Sequence, residues 1–215
     1  MNFLDIQNEV LAFRFNAVQR PSVKYWINTR YASIWGGSDW SFTRVAPVNL
    51  SVVASNQTPV MPADFGNVLQ LFNDQGTEIE YAVPWIFEDY DQYNKKAINV
   101  SRPSLYTTID SQVYLTPTPD INYTFQMSYL RSVCHKDLNG AIQTGLMSAD
   151  TDSPAWPVEH HYLLVLGATS MGLKLENDFT WDGVEQEYQG LLEAMNDDLL
   201  PVDRAQTIQY GRDDL

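Results

Sequence analysis

Phe3, Ile6, Val10 and Phe13 recur at steps of three and four, which puts them on one face of a helix. Asn2 stands where that helix needs a cap, and Asp5, three residues on, suits its positive end. A second helix follows Pro21, whose fixed φ helps to start a first turn. Its stripe runs through Val23, Trp26 or Ile27, Arg30 or Tyr31, and Ile34, and Gly36-Gly37 stops it. Arg20 and Lys24 lie at its start, against the dipole preference, and that mismatch asks for an acidic partner nearby.

From Asp39 to about Cys134 the pattern changes to period-two stretches broken by prolines and turn residues. The clearest strands are Val68 to Phe72, Glu78 to Tyr81, Ala97 to Val100, Leu105 to Ile109, Val113 to Thr116 and Tyr123 to Leu130. In the last, Tyr123, Phe125, Met127 and Tyr129 alternate with Thr124, Gln126 and Ser128, so one face is buried and the other wet. Asp110-Ser111 reads as a hairpin turn, and Pro84 to Tyr93 as a short helical interruption.

Residues 135–153 read as a polar loop closed by Pro154-Ala155-Trp156-Pro157. Pro157 then opens a helix running to about Leu175, apolar enough to be buried on most sides. The last helix is capped by Thr180, keeps Trp181, Val184, Tyr188, Leu191 and Met195 on one face, and ends near Leu200, because Pro201 cannot continue it. The expected fold is α+β. Residues 1–38 and 154–200 form a helical bundle, 39–134 an inserted antiparallel β-sheet or sandwich, 135–153 a loop, and 201–215 an extended tail.

Length and composition agree with a globular protein: 215 residues, 44% hydrophobic and 19% charged, are enough for a real core. A single cysteine, Cys134, rules out an intrachain disulfide and a cysteine-rich zinc site. The start of the chain does not read as a signal peptide, and no apolar run approaches the length of a membrane span. Four Asn-x-Ser/Thr triplets, at Asn49, Asn56, Asn99 and Asn122, reflect a composition rich in those residues.

The net charge of −14 argues against a protein that grips phosphate backbones. Residues 1–60 balance to +2, whereas 176–215 carry eleven acids against Arg204 and Arg212. A solvated acidic helix accounts for this. So does a contact in which Arg20, Lys24 and Arg30 of one copy face Glu185 and Glu187 of the next.

Catalytic frames are missing from the pattern. His160 and His161 are neighbours, so on a helix they cannot share a metal, and Cys134-His135 is a poor thiol–imidazole pair for the same reason. Gly167 to Gly172 lacks the serine spacing of a nucleophile elbow. The acids Glu88, Asp89 and Asp91, and Asp150 with Asp152, do not follow the calcium-loop pattern. With no phosphate loop or dinucleotide fingerprint, the sequence points to no enzyme and no cofactor. Six tryptophans and twelve tyrosines leave open a sugar-binding β domain, although most sit at apolar helix phases.

The ordered elements resemble the head-to-tail adaptor, or connector, proteins of tailed bacteriophages, including the tail tubular protein A type. The resemblance spans about residues 5–200. It is carried by Val23-Lys24-Tyr25-Trp26-Ile27-Asn28-Thr29-Arg30-Tyr31, then Trp40-Ser41-Phe42, then Met61-Pro62-Ala63-Asp64-Phe65 in place of the family's Leu-Pro-x-Asp-Phe. Tyr114-Leu115-Thr116-Pro117-Thr118-Pro119, Pro154-Ala155-Trp156-Pro157 and the acidic amphipathic helix complete the set. It implies a homo-oligomeric ring, usually of twelve copies, docked under the portal at the capsid vertex, assembled in the host cytoplasm and receiving a downstream tail or nozzle protein. Double-stranded DNA would pass through its lumen without sequence-specific binding, and no membrane is involved. It also assigns portal docking to the tail, through Pro201, Val202, Asp203 and Arg204, then Ile208, Tyr210, Arg212 and Leu215.

Overall fold

Asn2 and Asp5 close the first helix on each other: the Asp5 N–H donates to Asn2 Oδ1 at 2.8 Å, and the Asn2 N–H donates to Asp5 Oδ2 at 3.0 Å. The computed structural model describes residues 1–96 and 99–200. Helix α1 spans Phe3–Arg14 and α2 Arg20–Gly37. Phe3, Ile6 and Val10 are buried as the spacing predicts, but Phe13 is 41% exposed. The helix ends one residue later, the chain turns, and Phe15 takes the core position against Trp26, ring centroids 5.1 Å apart.

The strands that follow are β1 (Arg44–Val52), β2 (Phe65–Phe72) and β3 (Glu80–Tyr81), then helix α3 (Pro84–Lys96), then β4 (Leu105–Ile109), β5 (Gln112–Thr116) and β6 (Tyr123–Arg131). One sheet has the order β1-β6-β2, another β3-β4-β5. All pairs are antiparallel except β3 with β4. Tyr123, Phe125, Met127 and Tyr129 are all buried, so the period-two reading of β6 holds. β1 is bulged between Val45 and Val48, where Pro47 could not complete a ladder. Asp110 and Ser111 both have positive φ, 50° and 60°, the mark of a two-residue hairpin turn whose twist matches its strands.

Several expectations are corrected. The strand over Glu78–Tyr81 shrinks to Glu80–Tyr81, and Ile79 instead donates its N–H to Leu71 O at 2.8 Å. The strand over 97–100 is no strand where it is described; Val100 makes an isolated bridge to Thr118, and residues 97 and 98 lie outside the described residues. The interruption is a full helix, reaching Lys96. The polar loop over 135–153 carries a third sheet, β8-β7-β9, from Cys134–Lys136 (β7), Ile142–Thr144 (β8) and Ser153–Pro154 (β9). Strands of two or three residues are too short to give a periodic signal.

Pro157 leads into a single 3-10 turn, and helix α4 begins at Tyr162, running to Leu175. Helix α5 spans Trp181–Leu199. Thr180 does not cap it. Its N–H and hydroxyl both donate to Asp178 Oδ1, at 2.9 and 2.7 Å.

Two clusters of buried residues result. The first joins the helices at both ends of the chain with Trp40, Cys134, Met147 and Trp156. The second belongs to the strands, with Leu50, Val52, Leu71, Val113, Leu115, Phe125 and Met127. The fold is α+β, as the sequence predicts. Tyr31 ties the first cluster to the third sheet: its ring stacks on Trp156 at 4.6 Å, its hydroxyl donates to Cys134 O and accepts from the Ala155 N–H at 3.1 Å. Burial pushes this phenol well above its usual range and keeps it a neutral donor.

Candidate assembly surfaces

The residues expected to bridge neighbouring copies are mostly engaged within one chain. Lys24 Nζ lies 3.1 Å from Asp150, which supplies the acidic partner that the start of α2 asks for. Hydrogen bonds from Lys24 and Gln7 hold the Asp150 carboxyl below the usual range. Arg20 turns to neutral groups, donating to Gln7 Oε1 at 3.2 Å and Asn8 Oδ1 at 3.0 Å.

Arg30 does more. Its Nε–H donates to Gly167 O at 3.0 Å, its NH2 to Glu185 Oε2 at 2.7 Å, and its guanidinium covers the Tyr188 ring at 4.7 Å. One side chain from α2 thus holds α4 and α5 together. Burial raises the Glu185 carboxyl, but the Ser170 hydroxyl, the Gln189 amide and the Arg30 charge outweigh it and hold it below the usual range. Glu187 is exposed on the same helix. Val202, Ile208, Tyr210 and the other residues assigned to portal docking lie outside the described residues.

The candidate chemistry falls into structural roles. Cys134 is buried, donates to Ser132 O at 3.1 Å, and has its thiol pushed up by that burial. The ring of His135 turns instead to Gly145 O and to Asp152, 3.0 and 3.4 Å away. Asp152 also accepts the Ser148 and Ala149 N–H groups. Asp91 pairs with Lys95 at 2.5 Å and accepts from Gln57 at 2.5 Å. Among the described residues no group of histidine, cysteine and carboxylate side chains is arranged to hold a metal. Nor is any helix there long and apolar enough to cross a membrane.

Among the described residues, exposed apolar side chains gather on two surfaces in particular. On α3, Trp85 (69% exposed), Tyr90 and Tyr93 face outward, beside a cleft of about 470 Å³ lined by Tyr81, Ile86 and Tyr90. Trp85 is the one tryptophan of the six that is exposed, and it stands on a helix, so no tryptophan offers a sugar platform on a strand face. The second surface is the end of the bundle where α1 turns into α2 and α4 into α5. Gln19 of the first turn donates to Glu176 of the second at 2.5 Å. Val18 is 88% and Phe179 95% exposed there. Sequence periodicity missed both, because each is a lone apolar residue in a turn and belongs to no stripe.

The described residues thus combine a helical core built from both ends of the chain, a separate strand core and large uncovered apolar side chains. The family model of the SU10 adaptor protein matches residues 1–212. The chain belongs to the SU10 adaptor protein family. As a phage adaptor of this family it is a structural component of the virion, associated with portal and tail proteins. The narrower likeness to the tail tubular protein A type rests on the sequence motifs alone. No curated protein matches the chain.

Proposed function

We propose that this protein forms the head-to-tail adaptor ring of a tailed phage, with twelve copies docked under the portal, joining the capsid to the tail and lining part of the DNA channel. The observation that carries this reading is the family match over nearly the whole chain. Two features support it. A ring of subunits each carrying −14 repels a polyanion, so packaged DNA slides through without adhering. Residues 201–215 continue from the end of α5 and could span about 50 Å if extended, the reach expected of an arm that docks on the portal. In a ring, exposed Glu187 and half-buried Arg20 are the members of the expected charged contact left to face another copy.

Native mass spectrometry of the full chain, alone and mixed with portal particles of the same phage, tests the proposal. A stoichiometric ring on the portal is expected, and a chain that ignores the portal overturns it. A variant lacking residues 201–215 should remain folded and soluble and fail to join portal-bearing heads. Unimpaired joining would remove the docking role from the tail.

A further inference from the structure

The uncovered end of the helical bundle is built rather than left over. Helix α4 finishes with the Glu176 N–H on Gly172 O at 3.1 Å and the Asp178 N–H on Leu173 O at 3.0 Å, while Asn177 takes the left-handed conformation at φ 56°. Asp178 then accepts from Thr180, and the Trp181 N–H returns to Asp178 O at 3.1 Å. This braced turn holds Phe179 almost fully in solvent, with Leu175 exposed before it. The neighbouring turn is braced as well, by the Asn16 N–H on Gln19 Oε1 at 2.8 Å and the Val18 N–H on Asn16 Oδ1 at 3.0 Å, and it holds Val18 outward. The Gln19 to Glu176 bond locks the two turns side by side. A rigid aromatic anchor on a preorganised loop loses little entropy when it enters a pocket, which is how a small patch comes to dominate an interface.

Charge and position say what the patch meets. Glu176 and Asp182 are exposed beside it, while Lys174 is folded over the Trp181 ring at 4.7 Å and Arg20, next to the Val18 turn, is held on Gln7 and Asn8. A second copy is poorly suited to this rim. Such a copy carries −14 overall, so on balance it meets an acidic rim with like charge. The patch also lies at the start of α5, whose nineteen residues carry the chain about 28 Å before residue 201 begins. The tail proposed to engage the portal therefore departs from the opposite end of the bundle.

The geometry points to Phe179, with Val18 and Leu175, as the anchor for the protein on the tail side of the adaptor, seated in an apolar pocket rimmed by lysine or arginine. This rests on the adaptor reading above. The double variant Val18→Asp, Phe179→Asp tests it in the full chain, since both side chains are too exposed to support the core. Wild-type and variant chains are added to adaptor-free heads, and the product is mixed with purified tails of the same phage. The variant should form rings and join heads as the wild type does, while its heads capture tails at least tenfold less well. Normal capture of tails overturns the inference. Loss of the ring also overturns it, because the patch would then lie between copies. Failure of the wild-type chain to join heads would instead overturn the adaptor reading, so the two are separable.

Discussion

Arg30 NH2 and Glu185 Oε2 stand 2.7 Å apart across 155 residues of sequence, and each side chain is only about one-fifth exposed. The pair is completed by Ser170, which donates to the same oxygen at 2.6 Å. Glu185→Ala leaves a half-buried guanidinium with only a carbonyl and a ring for company. We expect a loss of about 1–2 kcal/mol, a fall of several degrees in melting temperature for a chain of this size. Because the folded carboxyl sits below its ordinary value, its contribution is complete above the usual glutamate range and is lost as pH falls through the lowered folded value. Melting scans from pH 7 to pH 3 should show a shallower acid limb for Glu185→Gln than for the wild type.

Tyr31 serves two backbone groups that no other described side chain reaches. Tyr31→Phe keeps the stacking on Trp156 but leaves the Cys134 carbonyl and the Ala155 N–H short of a partner in the core. A loss of about 2 kcal/mol in urea unfolding, without a change in slope, is the expected result.

Glycines in α4 and α5 should respond in opposite directions. A Cβ at Gly172 would lie 2.5 Å from Trp26 Cζ3 and 2.6 Å from Phe15 Cζ, so Gly172→Ala overpacks the bundle by about 1–3 kcal/mol. At Gly183 and Gly190 a Cβ meets nothing, and alanine there should stabilise α5 by about 1 kcal/mol each. Thermal denaturation of the three single variants decides this.

The β4–β5 turn carries two non-glycine residues with positive φ. Asp110→Asn with Ser111→Gly relieves that strain and should raise stability by about 1 kcal/mol, read as a higher denaturation midpoint.

The sequence reveals elements whose own residues repeat and conceals those defined by distant partners. Phe3, Ile6 and Val10 declare α1, the alternation from Tyr123 to Tyr129 declares β6, and Asp110-Ser111 declares a turn even without glycine. Phe13 misleads because a stripe cannot say where the helix stops. Thr180 misleads because a nearby carboxylate, Asp178, competes for its N–H and hydroxyl. The third sheet stays hidden because its strands are only two or three residues long and because His135 pairs with Pro154 from beyond the local hairpin it makes with Gln143. Of the candidate surfaces, the charges of Arg30 and Glu185 are visible in the sequence, but that they satisfy each other is not. Phe179 gives only a negative signal, an aromatic residue that belongs to no stripe.

The chain leaves the helices through β1 and returns through β6, and these strands are direct neighbours, Arg44 facing Leu130. Where β6 leaves the sheet, Trp35 Nε1 donates to Arg131 O at 3.4 Å, and a Cβ at Gly66 of β2 would lie 2.8 Å from Ser132 N, so β2 is pressed against the other side of β6. A pull between bundle and sheet therefore stretches both strands from the same end. It does not slide one past the other, and the load falls on two covalent chains in parallel while the ladder between them is spared. A joint of that kind resists tension well and twisting less.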